Sequence, residues 1–333
     1  MFLLCDAVLE GGGVKGIGLV GAVCGIEAAG YSFNNVAGTS AGSIVASLLG
    51  VGYTGAEIKE EMLKLDFQKI QGGDWFTRLG LCGKAIKLAL KNGVYKADYL
   101  EDWLEALYKR KGKTHFGDIR NQNVAEKRRY KFQAVASDLS DSRMLVLPGD
   151  LAIFGINPDQ FRIAKAVRMS MSIPIFYEPY ILTDADGKKH VIVDGGLLSN
   201  YPMWLLDDRK AALPYPIFGL KFCSSTSEKP EPADYRQVYY LSGLIKAMVH
   251  TSMEAHDKYY ISISKGDFQR TINISPIITL NGVQKKVSTT DFTIKHEAKE
   301  ALFNNGFKAA KVFLRDWDFN RWKSTYRAKK VNI

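Results

Sequence analysis

Two strand-turn-helix passages close to the N-terminus restrict the fold of this chain more than any other feature. Ala7-Val8-Leu9 is a buried-strand run that meets Gly11-Gly12-Gly13-Val14-Lys15-Gly16. Ile17 to Ala29 then carries small and apolar residues at helical spacing and stops at Gly30. Phe33 to Ala37 repeats the strand signal and runs into Gly38-Thr39-Ser40-Ala41-Gly42, after which Ser43 to Leu49 opens a second helix. A βαβα start of this kind belongs to a parallel sheet covered by helices. The expected class is α/β, three layers (α/β/α) around a mainly parallel central sheet.

Further strand signals follow at Lys131 to Ala136, Met144 to Leu147, Tyr177 to Leu182, His190 to Val193, Pro216 to Phe222 and Thr271 to Ser275. Helices are expected over Phe161 to Arg168, Tyr239 to Tyr260 and Lys295 to Arg315. From Tyr95 to Leu107, the residues Tyr99, Leu100, Trp103, Leu104 and Leu107 share one amphipathic face. No repeat or Pro/Gly-rich linker divides the chain. With 333 residues and 46% hydrophobic content there is enough apolar material for one large core. The expected organisation is one domain over residues 1–315 with a helical insertion at about 66–123, followed by a basic, aromatic tail over 316–333.

The net charge of +10 is concentrated at Lys109 to Lys113, Lys127 to Lys131 and Arg315 to Lys330. Such runs suit solvated helix ends, or attraction to an anionic surface. No zinc-finger spacing or RNP-like aromatic motif is present, so nucleic acid is not an expected partner and acidic lipid headgroups suit the charge better. Cys5, Cys24, Cys82 and Cys223 lie far apart with no CxxC pair, which fits a reducing compartment and predicts no metal site. Met1 to Cys5 is too short for the apolar core of a signal peptide, and no run approaches the roughly 18 apolar residues of a membrane span. A cytoplasmic protein is expected, with peripheral membrane association and signal-independent export both left open.

The glycine motifs carry the chemistry. A serine hydroxyl needs a base and an exposed turn to act as a nucleophile. Gly38 and Gly42 permit such a turn at Ser40, in a G-x-S-x-G elbow between strand and helix. Gly11 to Gly16 fits two descriptions. As G-x-G-x-x-G it is a dinucleotide fingerprint, but that role wants an acid at the tip of the second strand, and none stands there. As a run of backbone amides at a helix start it is an anion cradle suited to an acyl-transfer oxyanion, with Lys15 adding charge nearby or simply facing solvent. For the base, His115, His190, His250, His256 and His296 lie in no context that marks a triad member. Asp194 ends the apolar strand Val191-Ile192-Val193 and precedes Gly195 and Gly196, which places it at a strand end like Ser40. An ordinary carboxylate, with a pKa of about 3.9, is a weak base. Desolvation and a hydrogen bond to Ser40 would have to make it effective.

Taken in order, Gly11 to Gly16, Gly38 to Gly42 and Asp194-Gly195-Gly196 resemble the motifs of the patatin-like phospholipase family. Ser170-Met171-Ser172-Ile173-Pro174-Ile175-Phe176, Leu197 to Pro202 and Ser288 to Leu314 extend the similarity. The resemblance implies a patatin-like fold and a Ser–Asp dyad in which Ser40 is the nucleophile and Asp194 the base. It makes Gly11, Gly12, Gly13 and Gly16 the oxyanion loop, with Lys15 where relatives carry Arg or Lys. No cofactor or metal is implied, and the substrate class is a phospholipid or other acyl ester. Three alternatives stay open: a soluble carboxylesterase or acyltransferase (Thr39 stands where acyl-carrier transacylases usually carry His), a non-catalytic lipid-binding protein, and a Ser–His–Asp hydrolase using His250, His256 or His296. Trp75 to Leu90 is either a core helix or a lid, and Trp317, Phe319, Trp322 and Tyr326 either meet lipid or clamp the tail onto the domain. An activating protein partner is also left open.

Overall fold

Alternating strands and helices, in the order the apolar runs dictate, build one large sheet. The computed structural model describes residues 3–66, 93–95, 97–121, 128–207, 213–223, 251, 266–289 and 291–327. In chain order its elements are β1 (Leu3–Leu9), α1 (Gly16–Ala28), β2 (Tyr31–Thr39), α2 (Ala41–Val51), α3 (Gly55–Lys64), β3 (Gly93–Tyr95) and α4 (Asp98–Arg110). Next come β4 (Phe132–Asp138), β5 (Arg143–Leu147), α5 (Ile163–Ser170), β6 (Ile175–Tyr177), β7 (Tyr180–Thr183), β8 (Lys189–Asp194) and β9 (Ile217–Phe222). The chain closes with β10 (Thr271–Ile274), β11 (Ile277–Leu280), β12 (Val283–Lys286), α6 (His296–Arg315) and α7 (Phe319–Tyr326). The helix expected over Tyr239 to Tyr260, apart from Thr251, the segment Trp75 to Leu90, and His250 and His256 lie outside the described residues.

The sheet runs β10-β9-β1-β2-β4-β8-β7, with β5 also paired to β4. From β10 to β4 every pairing is parallel, and β5, β7 and β8 add antiparallel pairs. The register around β4 positions the site. β5 pairs with β4 from Ala134 to Asp138, β2 pairs with it from Phe132 to Val135, and β8 from Ala136 to Asp138. A strand offers two hydrogen-bonding edges, so β2 and β8 must share the edge that β5 leaves free. The rung Thr39–Val135 is therefore followed directly by the rung Asp194–Ala136.

The two sheet faces bury separate cores, as the period of two along a strand requires. Ala7, Leu9, Ala134 and Ala136 belong to a core shared with α1, α2, α5 and α6, whereas Val8, Ala37 and Val135 pack with Tyr201, Met203, Leu206 and Trp322. Helices α1 and α6 approach so closely that a Cβ on Gly21 would lie 1.9 Å from the Phe303 carbonyl oxygen.

Some local expectations shift for physical reasons. The strand expected over Tyr177 to Leu182 is two strands, because Pro179 has no N–H to give a ladder and Glu178 N–H turns instead to Tyr95 O at 2.8 Å. On α4 the buried stripe is Leu100, Leu104, Leu107 and Tyr108, while Tyr99 sits off it and is exposed.

The C-terminal aromatics pack inward. Trp322 is 4% exposed and donates Nε1–H to Gly266 O at 2.8 Å. Buried Arg270 pairs with Asp207 and Asp267, and Arg327 reaches the same Asp207. Among the two roles open to these aromatics, the contacts fit the clamp. Trp322→Ala should cost about 3 kcal/mol of stability by cavity formation; a melting temperature unchanged from wild type would show that α7 is not part of the core.

Candidate active site

Ser40 stands between β2 and α2 with φ 53° and ψ −127°, a backbone state that a residue with a Cβ rarely adopts. Such strain is of order 1–3 kcal/mol and persists only when neighbours enforce it. Here they are close. A Cβ on Gly42 would lie 2.3 Å from Leu9 O, and one on Gly38 would lie 2.5 Å from the Gly42 backbone. Helix α2 can rise against the ends of β1 and β2 only because both positions are glycine. Ser40 N–H donates to Ser170 Oγ at 3.1 Å, and Ser40 O accepts from Ser43 N–H at 2.9 Å.

Asp194 closes β8 and is 1% exposed. Its N–H donates to Ser172 O at 2.9 Å, and its Oδ1 accepts Gly196 N–H at 2.7 Å in the turn Gly195–Leu197. Burial pushes its pKa up to about 7, while the Ser40 hydroxyl and the Gly196 amide pull it down. The Ser40 hydroxyl is near enough to favour the charged form, yet Oδ2 has no partner of full hydrogen-bond geometry. Ser40 and Asp194 are thus neighbours without a well-formed hydrogen bond between them. The sequence suggested two strand ends on one edge of a parallel sheet. The structure corrects this: β8 is antiparallel and meets β2 head-on along β4.

The glycine loop lies beside Ser40, since a Cβ on Gly11 would come within 3.1 Å of Ser40 Cβ. Its amides are not equivalent. Gly11 N–H is committed to Asn200 O at 3.0 Å and Val14 N–H to Thr289 O at 3.1 Å, whereas Gly12 and Gly13 N–H donate to no group among the described residues. Gly13 takes φ +56° and Gly16 opens α1. Lys15 Nζ sits 4.8 Å above the Phe222 ring centre, and burial lowers its pKa. Glu10 anchors the loop to β9 by pairing with Lys221 and accepting Phe222 N–H at 2.6 Å.

Ser170 and Asn200 contact this site, and sequence reasoning gave neither of them a role. Both fall in stretches that stood out by resemblance, but only the fold shows what each holds. The histidines stay apart from Ser40 among the described residues. His115 meets Thr114 and Asp118, and His296 meets Glu300. His190 is buried with Nδ1 3.1 Å from Asp138 and Nε2 3.3 Å from Asp184. Asp138, Asp141 and His190 do bring ligand-type atoms within 4.8 Å of one another, a grouping the sequence spacing did not announce. Asp141 is already paired with Arg143 and Lys188, so the group is an ion-paired network that ties β8 to β4.

The match to the profile of the patatin-like phospholipase family spans residues 7–207, which include the glycine loop, the elbow and the Asp194 turn. This chain belongs to that family. As a patatin-like protein it is an ester-cleaving hydrolase that acts on lipids. The uncharacterised protein YqhO of Bacillus subtilis (strain 168) is 35% identical over 315 residues, 94% of this chain and 99% of YqhO. The probable lipid hydrolase 463L of invertebrate iridescent virus 6 is 25% identical over 202 residues, 59% of this chain and 61% of its own length. The crystal structure of VipD from Legionella pneumophila shares the patatin-like fold at 19% identity, with a TM-score of 0.52 over 94% of this chain and 66% of VipD. No helix among the described residues is long and apolar enough to cross a membrane.

Asp194 holds its proton to a higher pH when folded than when unfolded, so folding takes up a proton and stability falls as pH rises from about 4 to about 7. Asp194→Asn removes that titration. Its stability advantage over wild type should be near zero at pH 4 and grow to the order of 4 kcal/mol by pH 8. Parallel denaturant curves at the two pH values check this; a pH-independent difference would mean that the carboxyl is not desolvated.

Proposed function

We propose that the chain is a serine acyl hydrolase of the phospholipase A or lysophospholipase type, working through a Ser40–Asp194 dyad. Asp194 Oδ2 takes the Ser40 proton as the hydroxyl attacks an acyl-ester carbonyl. The Gly12 and Gly13 amides bind the tetrahedral oxyanion, each such donor being worth about 3 kcal/mol in the barrier. The alcohol leaves with the proton from Asp194; water deprotonated by the same carboxylate then attacks the acyl-Ser40 ester, and the fatty acid is released as Asp194 returns the proton to Ser40 Oγ. Gly11, Lys15 and Gly16 shape the loop, while Gly38, Gly42, Gly195 and Gly196 hold the elbow and the Asp194 turn. Lipid is the partner this chemistry needs.

One observation carries the reading. A strained, glycine-flanked serine faces a buried carboxyl whose pKa is pushed up to about 7 and whose second oxygen is free. Burial thus supplies the basicity that a histidine supplies in a triad.

The experiment compares fatty-acid release from mixed phospholipid vesicles and from a short-chain chromogenic ester. Ser40→Ala and Asp194→Asn should each lower turnover by at least 10³-fold on both substrates while the proteins stay folded. Wild-type kcat/KM should rise with pH through about 7 as Asp194 loses its proton. Release from the short ester alone favours a soluble esterase, and full activity in either folded variant removes the dyad.

A further inference from the structure

We infer that Asn200 is the positioning residue of the oxyanion loop, a three-point clamp on Gly11 that aims the Gly12 and Gly13 amides at the reacting carbonyl. The inference rests on the dyad proposed above and adds a group to it.

Gly11 is gripped on every side that a glycine offers. Its N–H donates to Asn200 O at 3.0 Å, and its carbonyl oxygen receives the Asn200 Nδ2–H at a long 3.4 Å. Its missing side chain leaves the space for the third contact: a Cβ there would lie 2.2 Å from Asn200 Oδ1. Oδ1 is buried and has no conventional hydrogen-bond partner. It faces the Gly11 Cα, the arrangement of a weak Cα–H···O contact. A buried acceptor left in this way is costly unless the surroundings compel it, and here the geometry that compels it is the fit against Gly11.

The position of Asn200 in the chain gives the clamp its meaning. The segment from Asp194 to Asn200 begins with the base and ends with the clamp. Between them Ser199 O accepts the Thr39 hydroxyl at 3.0 Å, one residue before the nucleophile. Base, nucleophile and oxyanion loop are therefore all referred to one short segment. A loop of glycines has no side chains of its own to hold its amides in place, and amides cost no reorganisation in the transition state only if they are already held. Asn200 supplies the hold from outside.

Asn200→Ala should lower kcat/KM on the chromogenic ester about 10- to 100-fold, the scale of a small misplacement of a catalytic group, with KM unchanged. Affinity for a trifluoromethyl ketone, which forms a tetrahedral adduct on Ser40, should fall by the same factor. Affinity for an ether-linked phospholipid, which cannot form one, should stay at the wild-type value. Asn200→Leu keeps the bulk beside Gly11 but loses the amide and should reproduce the pattern, which keeps the test valid if Asn200→Ala folds poorly. Wild-type kcat/KM in Asn200→Ala, or loss of ether-lipid and ketone affinity in equal measure, overturns the clamp. Ser40→Ala separates the two ideas. If it retains turnover, the dyad itself has failed; if it is inactive while Asn200→Ala is unimpaired, only the clamp has.

Discussion

The edge of β4 that β5 leaves open is the constraint on which the rest of the site depends. β2 occupies it up to Val135 and β8 takes it from Ala136, so the two strands compete for one line of backbone groups. β2 has to leave the sheet at the rung where β8 arrives, and Ser40 is the residue at which it leaves. The sharp turn with positive φ is the geometric result of that hand-over. Glycines at 38 and 42 make the turn sterically open, and the Ser170 hydroxyl satisfies the Ser40 amide that the sheet no longer pairs. Strain of this kind survives because each surrounding segment is fixed by contacts of its own.

Burial and basicity are two sides of the same arrangement. A carboxylate on the surface would be too weakly basic to deprotonate a hydroxyl near neutral pH. Enclosed between β4 and the Gly195–Leu197 turn, with only the Gly196 amide and the Ser40 hydroxyl to favour its charge, Asp194 becomes a better base and a less comfortable one. The free Oδ2 belongs to this balance. A further hydrogen bond to it would stabilise the anion and return it to ordinary acidity. In the dyad proposed above, basicity is gained here at the expense of folding stability, the trade expected at a site built for chemistry.

Local features were readable from the sequence, and features that depend on distant pairing were not. The strand-glycine-helix passages, the elbow at Ser40 and the turn after Asp194 are legible because glycine and apolar periodicity act within a few residues. The direction of β8 is not, since a strand of this length carries no mark of its partner. Ser170 and Asn200 escaped for a similar reason: a serine near a helix end and an asparagine after a turn are common, and their value comes from segments more than a hundred residues away. His190 shows the converse. It has the residue type of a catalytic base, yet Asp138 and Asp184 occupy both of its nitrogens in an ion-paired network remote in role from Ser40. The C-terminal aromatics were ambiguous because amphipathic composition suits a lipid surface and a protein core alike.

The close seat of α6 on α1 has a consequence in time. The glycine loop runs directly into α1, whose glycine face stays exposed until α6 covers it, and β1 waits in the same way for β9. Both partners lie more than two hundred residues further along the chain, with α6 after β9. At about 5–20 residues per second, synthesis separates the glycine loop from α6 by some tens of seconds. Early in that interval the nascent chain carries Ser40 without Asp194, and until its end the helix behind the glycine loop has no cover. The seat of the glycine loop is thereby finished only after α6 has been made.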